Sequence, residues 1–346
     1  MAGRSVGPSR FVGLGLSLSN EGPLRETLGI AQRADELGFD EVSLPESRQH
    51  RAVFSAAAAT LATTSRIRVR IGIANPVTRH PAVLAMEAAT LAEIAGPERL
   101  AFGVGAAVWT MRALGYEPAG WQPYTNVVET VRALRQWLAG EALGFTPVTF
   151  PADPSNRLDF TPVGPIRIDV GAVNARMMQA AGEVADGVQL GALVSPGYVR
   201  WSRDRLAEGA ERAKRSVDDL LVSSNVLCSV GVDRAEARRA VRQVLAYYLW
   251  RVEGVVVDTS GADPEQVAAV RAAVERDGAE AGAAKVTEGL IDTFACAGTV
   301  DDVVVQLGAF ADAGLDLPLA WHTLGPDPAS ALTMLAGPVR AAVVNG

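Results

Sequence analysis

The chain has 346 residues, 49% of them apolar, and 39 acidic against 32 basic side chains give a formal net charge of −7. Its basic residues are scattered, which argues against nucleic acid as a partner because phosphate neutralisation needs a concentrated positive face. No apolar stretch approaches the ~20 residues that span a bilayer, so no membrane partner is expected.

Met1–Arg10 is polar, lacks the apolar core of a signal peptide, and reads as a flexible tail ahead of a single domain, 11–346. Cys228 and Cys296 are too few for a disulfide framework and have no metal-ligand spacing. No metal site is expected, and a soluble cytoplasmic protein is the simplest reading.

In chain order, the apolar runs predict strands at Phe11–Leu18, Glu41–Pro45, Ile67–Ala74, Arg99–Val104, Ile166–Val170, Val188–Gly191, Leu221–Val230 and Leu317–Trp321. Helical periodicity fills the intervals. Leu24, Leu28, Ala31 and Ala34 share one face, as do Leu84, Ala88, Leu91 and Ala95, and Val127, Val131, Leu134 and Leu138. Thr299-Val300-Asp301-Asp302 has the pattern of a capping box, with Val303, Leu307 and Phe310 turned inward.

A short motif recurs at Leu37-Gly38-Phe39-Asp40, Ala185-Asp186-Gly187 and Ala313-Gly314-Leu315-Asp316. Each predicts a helix end closed by a left-handed glycine before a new strand. Eight strands alternating with helices give an α/β fold, a (β/α)₈ TIM barrel, with a doubly wound open sheet as the alternative. Two stretches do not fit the repeat. Ala139–Pro165, rich in Pro and Gly with β-type patches at Val148–Phe150 and Leu158–Phe160, is an insertion before strand five; Glu253–Ala297, mostly helical, extends the region after strand seven as a lid or packing surface.

The strand–loop–helix–strand unit over 67–105 carries the functional signal. Its first strand breaks at Asn75-Pro76, followed by Arg79-His80-Pro81, and its second closes on Gly103-Val104-Gly105. A parallel crossover places the Asn75-Pro76 loop at a carboxyl strand end, where barrel enzymes keep their chemistry. Gly103-Val104-Gly105 is not a dinucleotide fingerprint, since the third glycine is missing.

The order and spacing of Leu37-Gly38-Phe39-Asp40 leading to Pro45-Glu46, Gly72-Ile73-Ala74-Asn75-Pro76 with Arg79-His80-Pro81, Arg99–Gly105, Gly171-Ala172 and Ala185–Val188 resembles the luciferase-like monooxygenase and F420-dependent oxidoreductase family. The likeness runs from about Phe11 to Leu324 and is greatest to the branch that includes methylenetetrahydromethanopterin reductase. It implies a flavin or deazaflavin ring across the carboxyl-end mouth of the barrel.

From the resemblance, Glu46, Gly72, Ile73, Ala74, Asn75, Ala106, Gly171, Ala172, Arg176 and Gly191 are expected to bind cofactor. It also implies a non-prolyl cis peptide at Gly72-Ile73, a bond that costs ~3–4 kcal/mol, forming a bulge against the ring. Gly72 without it is an ordinary strand glycine. The small residues Gly171-Ala172 and Gly191 at strand ends read equally as phosphate cradle or turn chemistry, Glu46 equally as ligand or exposed carboxylate, and Asn75 as donor to a ring carbonyl or turn former.

Trp109 and Trp121 suggest an aromatic, apolar substrate pocket, with His322 touching substrate. Glu46 and His322 are the only catalytic candidates, while His80 reads as a helix-start or rim residue and His50 sits in the basic loop Arg48–Arg51. Acid–base groups expected of two family members are missing. Ala106-Ala107-Val108-Trp109 contains no acid, Ser47 stands where a histidine is expected, and Gly15 where a glutamate is.

The activity expected is therefore F420-dependent hydride transfer to or from a small organic acceptor. The alternatives are an FMN-dependent monooxygenase using reduced flavin and O₂, or a non-catalytic cofactor-binding barrel. A basic groove near Arg48, Arg51, Arg79 or Arg176 would favour the acidic tail of F420. The apolar helices also allow a homodimer.

Overall fold

The computed structural model describes residues 11–46 and 50–345; Met1–Arg10, Ser47, Arg48, Gln49 and Gly346 lie outside the described residues, as do the side chains of His322, Thr323 and Asn345. Among the described residues nine strands form one sheet: β1 (Gly15–Ser17), β2 (Glu41–Pro45), β3 (Arg68–Ala74), β4 (Leu100–Gly105), β5 (Arg167–Gly171), β6 (Gly187–Gln189), β7 (Leu221–Val230), β8 (Ala295–Gly298) and β9 (Leu317–Leu324). Their order is β6-β5-β4-β3-β2-β1-β9-β7-β8, and a further β6–β7 pairing closes the ring. Strands β1–β7 and β9 thus make a closed barrel of eight parallel strands with helices between them, a TIM barrel.

Each of the eight anticipated strands is present, some shorter than the apolar run that announced it. β1 keeps only Gly15–Ser17 in the ladder and β6 stops at Gln189 rather than Gly191. Strand β8 was not anticipated. It is four residues long and pairs in register with the carboxyl half of β7 alone, Leu227–Val230. Such a short run following the helix Glu288–Phe294 has no period to read.

The chain forms two compact units. One holds Ser17–Gln189 with Arg205–Leu221; the other holds the segment ending at Leu16, Leu190–Asp204 and the chain from Val222 onward. In the second unit, five helices follow β7 before β8, so the region after strand seven is helical as expected. In the first, the insertion 139–165 contains no helix or strand, and the two β-type patches are not strands. It is held by side-chain acceptors instead. Glu129 accepts from Val148 N at 3.0 Å and from Thr149 N and Oγ1 at 3.0 and 2.6 Å. A loop whose backbone donors are satisfied by a carboxylate needs no partner strand.

Local signals explain the helix ends. Gly38 closes the helix Leu24–Leu37 at φ 88°, and Gly314 takes φ 96° after the helix Val300–Asp312. At the third site the glycine has another reason. The helix Ala175–Val184 ends on an extended Ala185, and Gly187 lies within β6 because a Cβ there would stand 2.6 Å from both Asp169 Oδ1 and Leu221 O. Thr299 and Asp302 form the expected capping box, and Val303, Leu307 and Phe310 are buried.

Strand alternation in the first unit separates two cores. Val42, Leu44, Val69, Ile71, Phe102, Val104, Ile168 and Val170 are almost completely buried against the helices. The opposite face points into the barrel and is charged near its amino end. Arg70 pairs with Glu41 and Asp169, all three fully buried, while Arg167 reaches Glu41 at 3.2 Å and Asp169 at 3.3 Å. Burial alone would push the Glu41 carboxyl up, but Arg70, Arg167 and Arg68 overcome it and hold the group below its ordinary range.

Candidate active site

Above that charged layer, at the carboxyl ends of β2–β5, the first unit gathers most of the residues the sequence singles out. The focal point is a break in β3. Its pairing with β4 shifts register between Ile71 and Ala74, and Ile73, a β-branched residue, adopts φ +78°. The expected bulge is therefore present, but the expected cis bond is not, since no cis peptide occurs among the described residues. A left-handed turn at Ile73 re-aims the strand with the peptide left trans. This region is unfavourable for an L-residue and strongly so for a β-branched one, so neighbours must hold it.

Those neighbours are glycines. A Cβ on Gly105 would lie 2.5 Å from Ile73 Cγ2, one on Gly171 2.8 Å from Ile73 Cδ1, and one on Gly103 3.0 Å from the same atom. Gly105 and Gly171 are themselves register partners. The glycines at these strand ends thus form a floor on which the Ile73 side chain rests. Gly72 is equally confined, since its Cβ would meet Ser43 Oγ at 2.7 Å and Leu44 O at 3.1 Å. It is not an ordinary strand glycine.

Asn75 ends the bulge with a side chain that is 2% exposed and fully engaged in local structure. Its Nδ2 donates to Ala106 O at 2.6 Å, tying β3 to the loop after β4, and its Oδ1 accepts from Val77 N at 2.8 Å. The hydrogen bonds of the turn-forming reading are present. Glu46 accepts from Asn75 N at 3.2 Å and pairs with Arg79. Arg79 also lies 4.7 Å above the Phe54 ring, a cation–π contact that fixes its plane.

Burial pushes the nearby Glu87 carboxyl up, and Glu46 adds to this while Arg79 opposes it. Glu46, Asn75, Thr78, Arg79, Thr110 and Leu114 line a cleft of about 220 Å³. Pockets for drug-sized ligands start at roughly 300 Å³, so this cleft by itself is smaller than such a pocket.

The remaining candidates are distributed as follows. Ala74 is buried at the end of β3, and Ala172, 3% exposed, already donates its N–H to Gln189 O at 3.1 Å. Arg176 is stacked 3.9 Å from the Tyr124 ring. Arg51 donates to Glu21 O, so Arg51, Arg79 and Arg176 are each engaged with a separate partner. Trp121 is 8% exposed with Nε1 lacking an acceptor, whereas Trp109 is 51% exposed in the short helix Val108–Ala113. His80 caps the helix Pro81–Ala95, accepting from Ala82 N at 3.1 Å, and its Nε2 meets Pro151 O at 2.7 Å.

His50 Nδ1 lies 3.2 Å from Asn20 Oδ1. Gly191 follows β6 and His322 lies within β9, both in the second unit, and the His322 side chain is outside the described residues. The sequence reading passed over Arg79 as the partner of Glu46, over Gly105 as the seat of Ile73, and over Gln189. The last stood visible as a lone amide between Val188 and Leu190. Among the described residues no three His, Cys, Asp or Glu side chains gather as metal ligands, and no helix is long and apolar enough to cross a membrane.

The barrel of parallel strands matches a known class. The chain belongs to the luciferase-like monooxygenase family, whose model matches residues 10–317. It is 29% identical over 330 residues to the 5,10-methylenetetrahydromethanopterin reductase of Methanolobus tindarius, covering 93% of this chain and 97% of that one. Identity to the enzyme of the same name from Archaeoglobus fulgidus is 30% over 308 residues, covering 87% and 91%. Among solved structures, the coenzyme F420 dependent tetrahydromethanopterin reductase from Methanopyrus kandleri superposes with a TM-score of 0.86 at 24% identity, over 94% of this chain and 98% of that one.

Proposed function

We propose that this chain is an F420-dependent oxidoreductase that moves a hydride between the deazaflavin and a small organic acceptor. The observation that carries the reading is the Ile73 bulge seated on Gly103, Gly105 and Gly171, in a chain whose full-length relatives are reductases. The residues present fit a planar ring. Glycines at the carboxyl ends of β4 and β5 present no side chains of their own there, and Ile73 supplies one apolar shelf.

When bound, the deazaflavin supplies the hydride-carrying carbon. Ile73, half-buried, would give the ring an apolar face that excludes water, with Ala74 packed beneath the surface. Glu46, fixed by Arg79 and Asn75 N, orients groups at the ring edge. No acid stands at Ala106–Trp109, so the acceptor this site suits is one whose reduction needs little proton delivery from the protein, such as a conjugated carbonyl or an iminium.

Fluorescence titration tests the cofactor assignment. The purified chain is expected to bind F420 more tightly than FMN and to turn over reduced F420 with some member of an acceptor panel. FMN binding with no detectable affinity for F420 would reverse the assignment.

We further read residues 11–346 as one domain, because a single strand order runs through both units. A homodimer is supported by Val83, Met86 and Ile94, which are 41–50% exposed along one face of the helix Pro81–Ala95. Sedimentation equilibrium would show a monomer if that reading is wrong. A cytoplasmic location is supported by Cys228 and Cys296, buried thiols that are direct register partners on β7 and β8; reducing compartments preserve such pairs.

A further inference from the structure

We infer that Gln189 is a cofactor-contacting residue, its side-chain amide bonding the imide N–H of the pyrimidine edge of the ring; this rests on the deazaflavin reading above. Gln189 is the last residue of β6, and its register partner is Gly171, just as Gly187 is the partner of Asp169. Side chains two apart on a strand share a face. A Cβ on Gly187 would point at Asp169 Oδ1, and Asp169 is fully buried against Arg70. Gln189 therefore faces the barrel interior one layer above the charged network, level with the glycine that seats Ile73.

There it is 7% exposed, and its Oε1 has no donor within hydrogen-bond reach. Buried side-chain oxygens without a partner are rare in folded proteins and call for a missing group. The chemistry of the missing group follows from the atom left open. A carbonyl oxygen needs a donor, and the reacting carbonyl or iminium of an organic acceptor offers none. The pyrimidinedione ring of a deazaflavin carries an imide N–H between two carbonyls, and a primary amide complements an N–H beside a carbonyl with one acceptor and one donor. Gly171 beside it has no side chain of its own, and Ile73, the shelf proposed for the ring, fills the space over it.

The test measures binding, not turnover. Kd is read by fluorescence for F420, for the bare 5-deazaflavin ring and for its N3-methyl derivative, against wild type, Gln189→Leu and the near-isosteric Gln189→Met. Loss of one buried hydrogen bond should raise Kd about tenfold for F420 and for the bare ring in both variants. Melting temperature should be unchanged, because an unsatisfied group has been removed. N3-methylation should weaken wild type by a similar factor and leave both variants unaffected.

Wild-type affinity in both variants, or equal weakening of all three proteins by N3-methylation, would overturn the inference while leaving the deazaflavin assignment intact. If Gln189→Leu fails to fold, Gln189→Met carries the comparison. Wild type that holds no deazaflavin ring would overturn the functional reading and this inference together.

Discussion

The side chain of Ile73 occupies the space that a Cβ on Gly105 would need, Cγ2 lying 2.5 Å from that position. Each residue explains the other. Ile73 can hold φ +78° because the neighbouring strand end is bare, and the neighbouring strand end must stay bare because Ile73 is there. Their coupling is measurable. Gly105→Ala should cost about 1–3 kcal/mol of stability as an overpacking substitution and weaken cofactor binding by displacing the bulge. In an Ile73→Gly background the same change should cost much less. Urea denaturation of the four proteins in the cycle checks this, and additive effects would mean that the two side-chain positions do not compete.

Arg70 is the hub of the buried charges. Arg70→Leu leaves Glu41 and Asp169 in the barrel interior with their main counter-charge gone. Removing one partner of a buried pair costs about 3–5 kcal/mol, and this is the loss expected in urea midpoint and melting temperature. A variant within about 0.5 kcal/mol of wild type would show that the interior takes up water or neutralises its acids at little expense.

The same network sets an acid limit. Glu41 has its folded-state pKa held below the ordinary 4.5, against the opposing effect of burial, by Arg70, Arg167 and Arg68. A carboxyl depressed in the folded state binds more protons when unfolded, so its stabilising contribution is present above the unfolded value. It declines as pH falls below about 4.5 and through the folded-state value. Asp35 behaves alike. Burial raises it, but the backbone N–H groups of Ser65, Ile67 and Arg66 more than compensate. Melting temperature should therefore drop as pH falls below about 4.5 towards 3 while these two groups contribute no slope nearer neutral pH, and Glu41→Gln should start lower but fall less steeply over the same acid range.

Glu129 anchors the insertion before β5 through Val148 and Thr149. Glu129→Ala should free this segment, giving much faster limited proteolysis near Val148, an exposed residue, with only a small change in global melting. Peptide mapping of the first cut would locate it. Unchanged cleavage would assign the restraint to His80, whose Nε2 reaches Pro151 O.

Much of this was legible before the fold was known. Strand order, helix faces, the glycine stops at Gly38 and Gly314 and the Thr299 capping box all depend on spacing within a few residues. The bulge near Gly72 was legible only through family likeness, and its conformation was read wrongly as a cis bond. Nothing local distinguishes a left-handed Ile73 from a cis peptide, since both redirect a strand over one residue. Gly187 was misread for a related reason. Its glycine answers to Asp169 and to Leu221 O, one 18 and the other 34 positions away.

The sequence by itself therefore determined the alternation of strands and helices, and with it a barrel whose loops at one end carry the candidate site. Tertiary structure alone decided which polar side chains face one another inside the ring, that Ile73 rests on glycines of β4 and β5, and that Gln189 turns an unpaired oxygen inward. Those contacts join residues from separate strands. Their energies depend on register and burial, which exist only once the sheet has closed.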